Sequence, residues 1–223
     1  MPLIKNVLNL WRADDLLSQA WAESHKMLNL SRELFVQSVK ALREQKNNET
    51  IKTLKKRDKK INDYQANVRR KVLTHFVIKE DVSDIANGLL LVNMVVDIER
   101  LGDYCKNILN LAISTPETVA IEHLSKDLKE IEDEVLNRFD KAITAITNQD
   151  EEIAKDLIAN QRKIITKTSD KIIDQVLSGD IKLGNDAQAA TLVLYARYLK
   201  RIASHLTNIA TILVYPLDKV GDF

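Results

Sequence analysis

The segment Glu99-Arg100-Leu101-Gly102-Asp103 holds the residue pattern best suited to chemistry in this chain. Residues four apart on a helix project from one side, so Glu99 and Asp103 can grip a single cation between two carboxylates. One helix cannot complete such a site. Asp58 and Asn62 repeat the spacing earlier in the chain, and two antiparallel helices carrying these pairs would offer four oxygen ligands, a set suited to Mg, Mn, Ca or iron. Asp58 also falls on the apolar stripe Ile51, Leu54, Ile61, Val68 and Val72, where a carboxylate without a partner is costly to desolvate. It needs a cation, and a lysine or arginine can supply the charge as well as a metal; Lys55, Lys56, Arg57, Lys59 and Lys60 surround it. Glu99 and Asp103 lie off the core stripe of their own helix, which leaves a solvated face as the competing reading.

Other reactive groups are dispersed. His25, His75, His123 and His205 show no metal-ligand spacing, and the lone Cys105 sits on an apolar stripe. No phosphate-cradling glycine loop, nucleophile elbow or dinucleotide fingerprint occurs, which argues against an ordinary enzyme. The basic runs Lys55 to Lys60 and Arg69-Arg70-Lys71 lack interleaved aromatics and read as solvated helix faces.

The elements that must position these residues are helices. Five Gly, three Pro and a 5% aromatic content leave too little turn punctuation and too few strand formers for an all-β chain, while 45% hydrophobic residues supply a sizeable core. Apolar residues recur at helical spacing from about Asp14 to Glu44, Glu49 to Val77, and Ser83 to the Ser114-Thr115-Pro116 stop, with Asp81 or Ser83 as N-cap of the third helix. The pattern then repeats over about Glu117 to Thr147, Glu151 to Leu177 and Ala187 to Val214. The third helix places Leu91, Met94, Ile98, Leu101, Cys105, Ile108 and Ala112 on one heptad stripe, the signature of long helices packed at a shallow angle. Gly102 inside this helix costs roughly 1 kcal/mol relative to alanine, so close helix approach is its expected benefit.

The two trios are related residue by residue. Arg100, Asn107 and Ile108 match Arg201, Asn208 and Ile209 at a constant offset, Leu54 and Ile61 correspond to Leu157 and Ile164, and Phe35, Val39 and Leu42 correspond to Phe139, Ile143 and Ile146. The expected architecture is therefore all-α, six long helices as two tandem three-helix bundles. Residues 1–115 form the first unit, with an apolar N-terminal arm of Leu3, Ile4, Val7, Leu8, Leu10 and Trp11, and residues 116–223 form the second. The arm is either a docking element for a partner or membrane surface, or a helix folded back on the bundle.

The 33 basic and 32 acidic residues nearly cancel, so the chain as a whole lacks the positive field that drives binding to nucleic acid or anionic lipid, although local patches are compatible with this balance. The longest apolar run, Leu89 to Val96, falls far short of the ~20 residues of a membrane span. A lone cysteine and the absence of a leader pattern make the cytoplasm the expected compartment.

Asp97-Ile98-Glu99-Arg100-Leu101-Gly102-Asp103 followed by Asn107-Ile108 resembles the signature of PhoU proteins, and Lys200-Arg201-Ile202-Ala203 with Asn208-Ile209 resembles its repeat. Asp58-Lys59-Lys60-Ile61-Asn62 is similar to the acidic segment on the second helix of each family unit. The resemblance implies a non-enzymatic cytoplasmic regulator of phosphate uptake or phosphate-starvation signalling, peripheral to the inner face of the cell membrane. Its implied partners are a phosphate transporter or the associated sensor kinase, not nucleic acid, and self-association as a homodimer is implied too. It also implies iron, zinc or another divalent metal in the first unit, at Asp58, Asn62, Glu99 and Asp103. In the second unit Lys200, Ser204, Gln161 and Ile165 stand at the corresponding positions, so any metal binding would be asymmetric. Val92, Val96 and Arg100 share the side of Glu99 and Asp103 and mark a candidate partner surface. Two other classes compete: a ferritin-like carboxylate-metal enzyme, which should show histidines one turn from its acids, and a structural adaptor or nucleic-acid binder.

Overall fold

The protein is described by a computed structural model over residues 15–44, 47–79, 84–114, 125–160, 162–181 and 183–221. The apolar N-terminal arm, the expected caps Asp81 and Ser83, and the expected start of the fourth helix at Glu117 lie outside these residues. The described residues form helices α1 (Leu16–Arg43), α2 (Asn48–Lys79), α3 (Ile85–Ser114), α4 (Ser125–Asn148), α5 (Glu151–Ala159), α6 (Lys167–Leu177) and α7 (Asp186–Val214), and they contain no strand. The all-helical fold anticipated from the periodicity is the observed one.

Local chemistry accounts for the ends. The Asp15 side chain caps α1 by accepting from the Leu17 amide at 2.9 Å, and Lys40 and Arg43 complement the negative end of the helix. Asp150 and Asn185 cap α5 and α7 in the same way.

Helices α1, α2 and α3 pack together, and α7 packs on α4, α5 and α6; α3 meets α7 and α1 meets α4, so equivalent helices of the two trios face each other. The α3 stripe is buried throughout except for half-buried Ala112. On α1, Ser24, Ser31 and Ser38 recur every seven residues and are all fully buried. Each returns its hydroxyl to its own helix, to the carbonyls of Ala20, Met27 and Phe35. Their small volume lets helices approach closely, as when Cys105 of α3 reaches the Ser31 carbonyl at 4.0 Å. A buried network ties the trios together: the Arg43 guanidinium of α1 and the Tyr195 hydroxyl of α7 both donate to Oε1 of Glu132 on α4, at 2.9 and 2.5 Å.

The expected fifth helix is corrected in one respect. Instead of running unbroken from Glu151 to Leu177, it stops at Ala159 and resumes through a π-helical turn, Arg162–Thr166. Arg138 of α4, only 1% exposed, donates to the carbonyls of Asn160 at 2.6 Å and Leu157 at 3.4 Å. A guanidinium occupying carbonyls that would otherwise accept the next turn's amides diverts the ladder, and the wider turn follows.

Candidate functional site

The site assembles where α2 crosses α3. Gly102 makes the crossing close: a Cβ there would lie 2.9 Å from Ile61 Cδ1 and 3.3 Å from Asp58 Oδ1. The close approach expected of this glycine is thus directed at the side chains of α2 that flank the acidic cluster.

Asp58 occupies its heptad position in the core and is 3% exposed. Its Oδ2 accepts from Lys106 Nζ at 2.8 Å, and its Oδ1 is buried with no hydrogen-bond partner. Glu99 and Asp103 are half-buried on α3, and Arg100 lies 3.7 Å from Glu99 and 3.0 Å from Asp103. Burial, followed by the charges of Asp103 and Asp58 and a hydrogen bond shared with Asp103, pushes the Glu99 carboxyl above its ordinary range, and Arg100 partly offsets this. Lys106 is shifted up by its hydrogen bond to Asp58, with further attraction from Asp103 and Glu99. Three carboxylates and two cations therefore form one electrostatic unit.

Three of the four candidate ligands, Asp58, Glu99 and Asp103, are brought together. Asn62, one turn beyond Asp58, is exposed and makes no hydrogen bond to the others among the described residues. Among the described residues no group of three or more His, Cys, Asp and Glu side chains is arranged to hold a metal ion. Lys106 lies on Asp58, and Arg100 lies beside Glu99 and Asp103, so side chains of the chain itself supply positive charge to these carboxylates in this structure.

Of the candidate partner surface, Arg100 is exposed, whereas Val92 and Val96 are half-buried and Val92 packs against the core. In the second trio Lys200 of α7 reaches both carboxylate oxygens of Asp170 on α6, at 2.7 and 2.9 Å, and Ile165 is buried. Gln161 lies outside the described residues. Each trio thus joins a lysine of its last helix to an aspartate of its middle one.

The roles of three residues escaped the reading of the sequence. Lys106 stands seven residues after Glu99, so the spacing that paired Glu99 with Asp103 extends to it. Arg138 occupies a heptad core position in the run Leu128, Ile131, Val135, Arg138, Ala142, and burial pulls its guanidinium below the ordinary range against the pull of Glu134. A buried His75 sits between Asp15, 3.0 Å from Nδ1, and Asp84, 2.8 Å from Nε2, and so joins the ends of α1 and α2 to the start of α3. Its heptad place on α2 after Val68 and Val72 was the available signal.

Comparison with known proteins gives this geometry a context. A Caulobacter vibrioides protein described as a phosphate-specific transport system accessory protein PhoU homolog is 24% identical over 173 residues, covering 72% of this chain and 70% of that protein. The crystal structure of PhoU from Pseudomonas aeruginosa superposes with a TM-score of 0.81 at 17% identity, covering 93% of this chain and 99% of the other. The phosphate transport system regulatory protein PhoU from Streptococcus pneumoniae gives a TM-score of 0.78 at 17% identity, covering 93% of this chain and 97% of the other. These structural likenesses establish the fold. The PhoU domain family model matches residues 25–112 and again residues 128–213, one match over each helical trio. Matched across most of its length in two copies, the chain belongs to the PhoU family.

Proposed function

We propose that this protein is an accessory regulator of a phosphate transport system, acting on the cytoplasmic face of the membrane by docking onto the transporter or its sensor kinase. The observation that carries the reading is the double match to the PhoU domain, together with the similarity to a relative described as a transport-system accessory protein. The action is binding, with the two helical trios serving as related docking platforms, and the homodimer is its working form. No helix among the described residues is long and apolar enough to cross a membrane, which is compatible with a peripheral partner of a membrane complex.

In this reading the acidic cluster of α2 and α3 shapes the surface around Arg100 and holds the two helices in register. The Asp58–Lys106 pair supports a regulator whose first trio is balanced by its own lysine rather than by iron, zinc or another divalent ion.

The test is co-purification of the tagged chain from solubilised native membranes, with metal analysis of the same sample and light scattering for the oligomer. Recovery of phosphate-transporter subunits or the sensor kinase supports the reading. A preparation that retains neither under conditions where the transporter complex stays intact rejects it, and stoichiometric metal would reject the role given to Lys106.

A further inference from the structure

The near-neutral charge of the chain conceals a sharp asymmetry. Helix α2 holds ten Lys and Arg against three Asp and Glu, while the whole chain nets +1, so the rest of the molecule is acidic. One of the three acids, Asp58, is buried and already paired. Helix α2 packs mainly on α1 and α3, which leaves a long outer face.

Along that face Lys52, Lys56, Lys59, Lys60, Arg69 and Arg70 are exposed. Among the described residues Lys52 pairs only with exposed Glu49, Arg70 donates to Asn67, and Lys60 lies over the Tyr64 ring. Lys56, Lys59 and Arg69 have no acidic partner among the described residues. At the C-terminal end of the same helix the character changes: Leu73, Val77 and Ile78 are 65%, 69% and 69% exposed. Leu73 and Val77 are one turn apart and share the side of Arg70. Ile85 and Leu89, at the adjoining start of α3, are each 42% exposed and extend the apolar end.

We propose that the outer face of α2 binds an anionic lipid bilayer, its lysines and arginines on the headgroup phosphates and Leu73, Val77 and Ile78 inserted at the acyl boundary. A basic helix surface with aliphatic side chains at one end matches the two layers of a bilayer surface, phosphate charge above and hydrocarbon below. Each basic side chain near such a surface adds to the attraction, within a Debye length of about 8 Å. Nucleic acid is the poorer match, because it offers no partner for exposed aliphatic side chains and this face presents no row of aromatic rings for base stacking. The inference stands apart from the proposed regulatory role, since it needs lipid alone and no transporter component.

The experiment is co-sedimentation of the full chain with vesicles of phosphatidylcholine and with vesicles in which part of the phosphatidylcholine is replaced by phosphatidylglycerol. Binding is expected only to the second kind, and added salt should weaken it. The combined variant Lys56→Glu, Lys59→Glu, Arg69→Glu alters side chains that hold no ion pair among the described residues, so its circular dichroism should be unchanged while vesicle affinity falls at least roughly tenfold. Leu73→Ser with Val77→Ser should lower the affinity that survives in high salt. Equal binding to neutral vesicles, no binding to anionic ones, or full binding by the charge-reversed variant would overturn the proposal. So would duplex DNA binding the wild-type chain more tightly, per phosphate and at the same salt, than the anionic vesicles do. Failure here leaves co-purification with the transporter untouched, because the vesicles contain no protein.

Discussion

The rings of Phe35 and Phe139 lie 5.4 Å apart, centroid to centroid, tilted by 32°. They occupy corresponding positions on α1 and α4, and both are buried. The duplication is therefore more than an echo in the sequence: equivalent residues of the two trios touch. Tyr104 of α3 and His205 of α7, also at corresponding positions, repeat the relationship with centroids 5.7 Å apart.

Because the Phe35–Phe139 contact joins the trios, either residue changed to alanine should cost about 3–5 kcal/mol through lost burial and a residual cavity. The double variant should cost less than the two single costs combined, by about 0.5–1.5 kcal/mol for the ring pair. Urea unfolding of the four proteins in the cycle measures this; strict additivity would show that the rings do not support each other.

Lys106→Ala should destabilise the chain by about 1–3 kcal/mol, since it leaves the buried Asp58 carboxylate without its donor. The loss is less than that of a fully buried pair because the Lys106 side chain is 41% exposed and partly solvated already. Adding Asp58→Asn should recover part of the stability by removing the orphaned charge. Chemical denaturation at neutral pH provides the comparison, and an Asp58→Asn change that worsens the Lys106→Ala background would contradict the pairing.

Glu99 has its carboxyl shifted above the ordinary value of 4.5, so the folded chain holds that proton more tightly than the unfolded one. Its contribution is thus fully favourable only in acid and is lost as pH rises through the folded-state titration. Glu99→Gln should raise stability at neutral pH by about 0.2–0.5 kcal/mol, the scale of a like-charge pair four apart on a helix. The gain should vanish below the unfolded titration, and thermal unfolding of both proteins across acidic to neutral pH would show a pH-independent difference if the assignment is wrong.

Arg138→Met should destabilise by about 3 kcal/mol or more, because Glu134 and the carbonyls of Leu157 and Asn160 lose a charged donor inside the fold. Arg138→Lys should not restore stability, since a single ammonium cannot span the positions the guanidinium reaches. Hydrogen exchange is expected to speed up first at the π-helical turn Arg162–Thr166. Exchange that rises evenly along α4 to α7 would instead separate Arg138 from the break in the helix.

Much of this molecule was legible along the chain, because its order is local. Burial of Leu91, Met94, Ile98, Leu101, Cys105 and Ile108 follows from a heptad repeat, and the anomaly of Asp58 follows from its place in another. The matched residues Arg100 and Arg201, Asn107 and Asn208 exposed the duplication and led to the family. What periodicity could not decide was which distant groups answer one another. Asp58 has lysines on either side of it in the chain, yet its partner is Lys106, 48 residues away, because a neighbour on the same helix points outward where the carboxylate points in. The fifth helix reads as continuous until Arg138 arrives from α4 to take its carbonyls. Helical spacing sets the face on which a side chain lies; the axial register and rotation of packed helices, which depend on every contact in the core at once, set what that face meets.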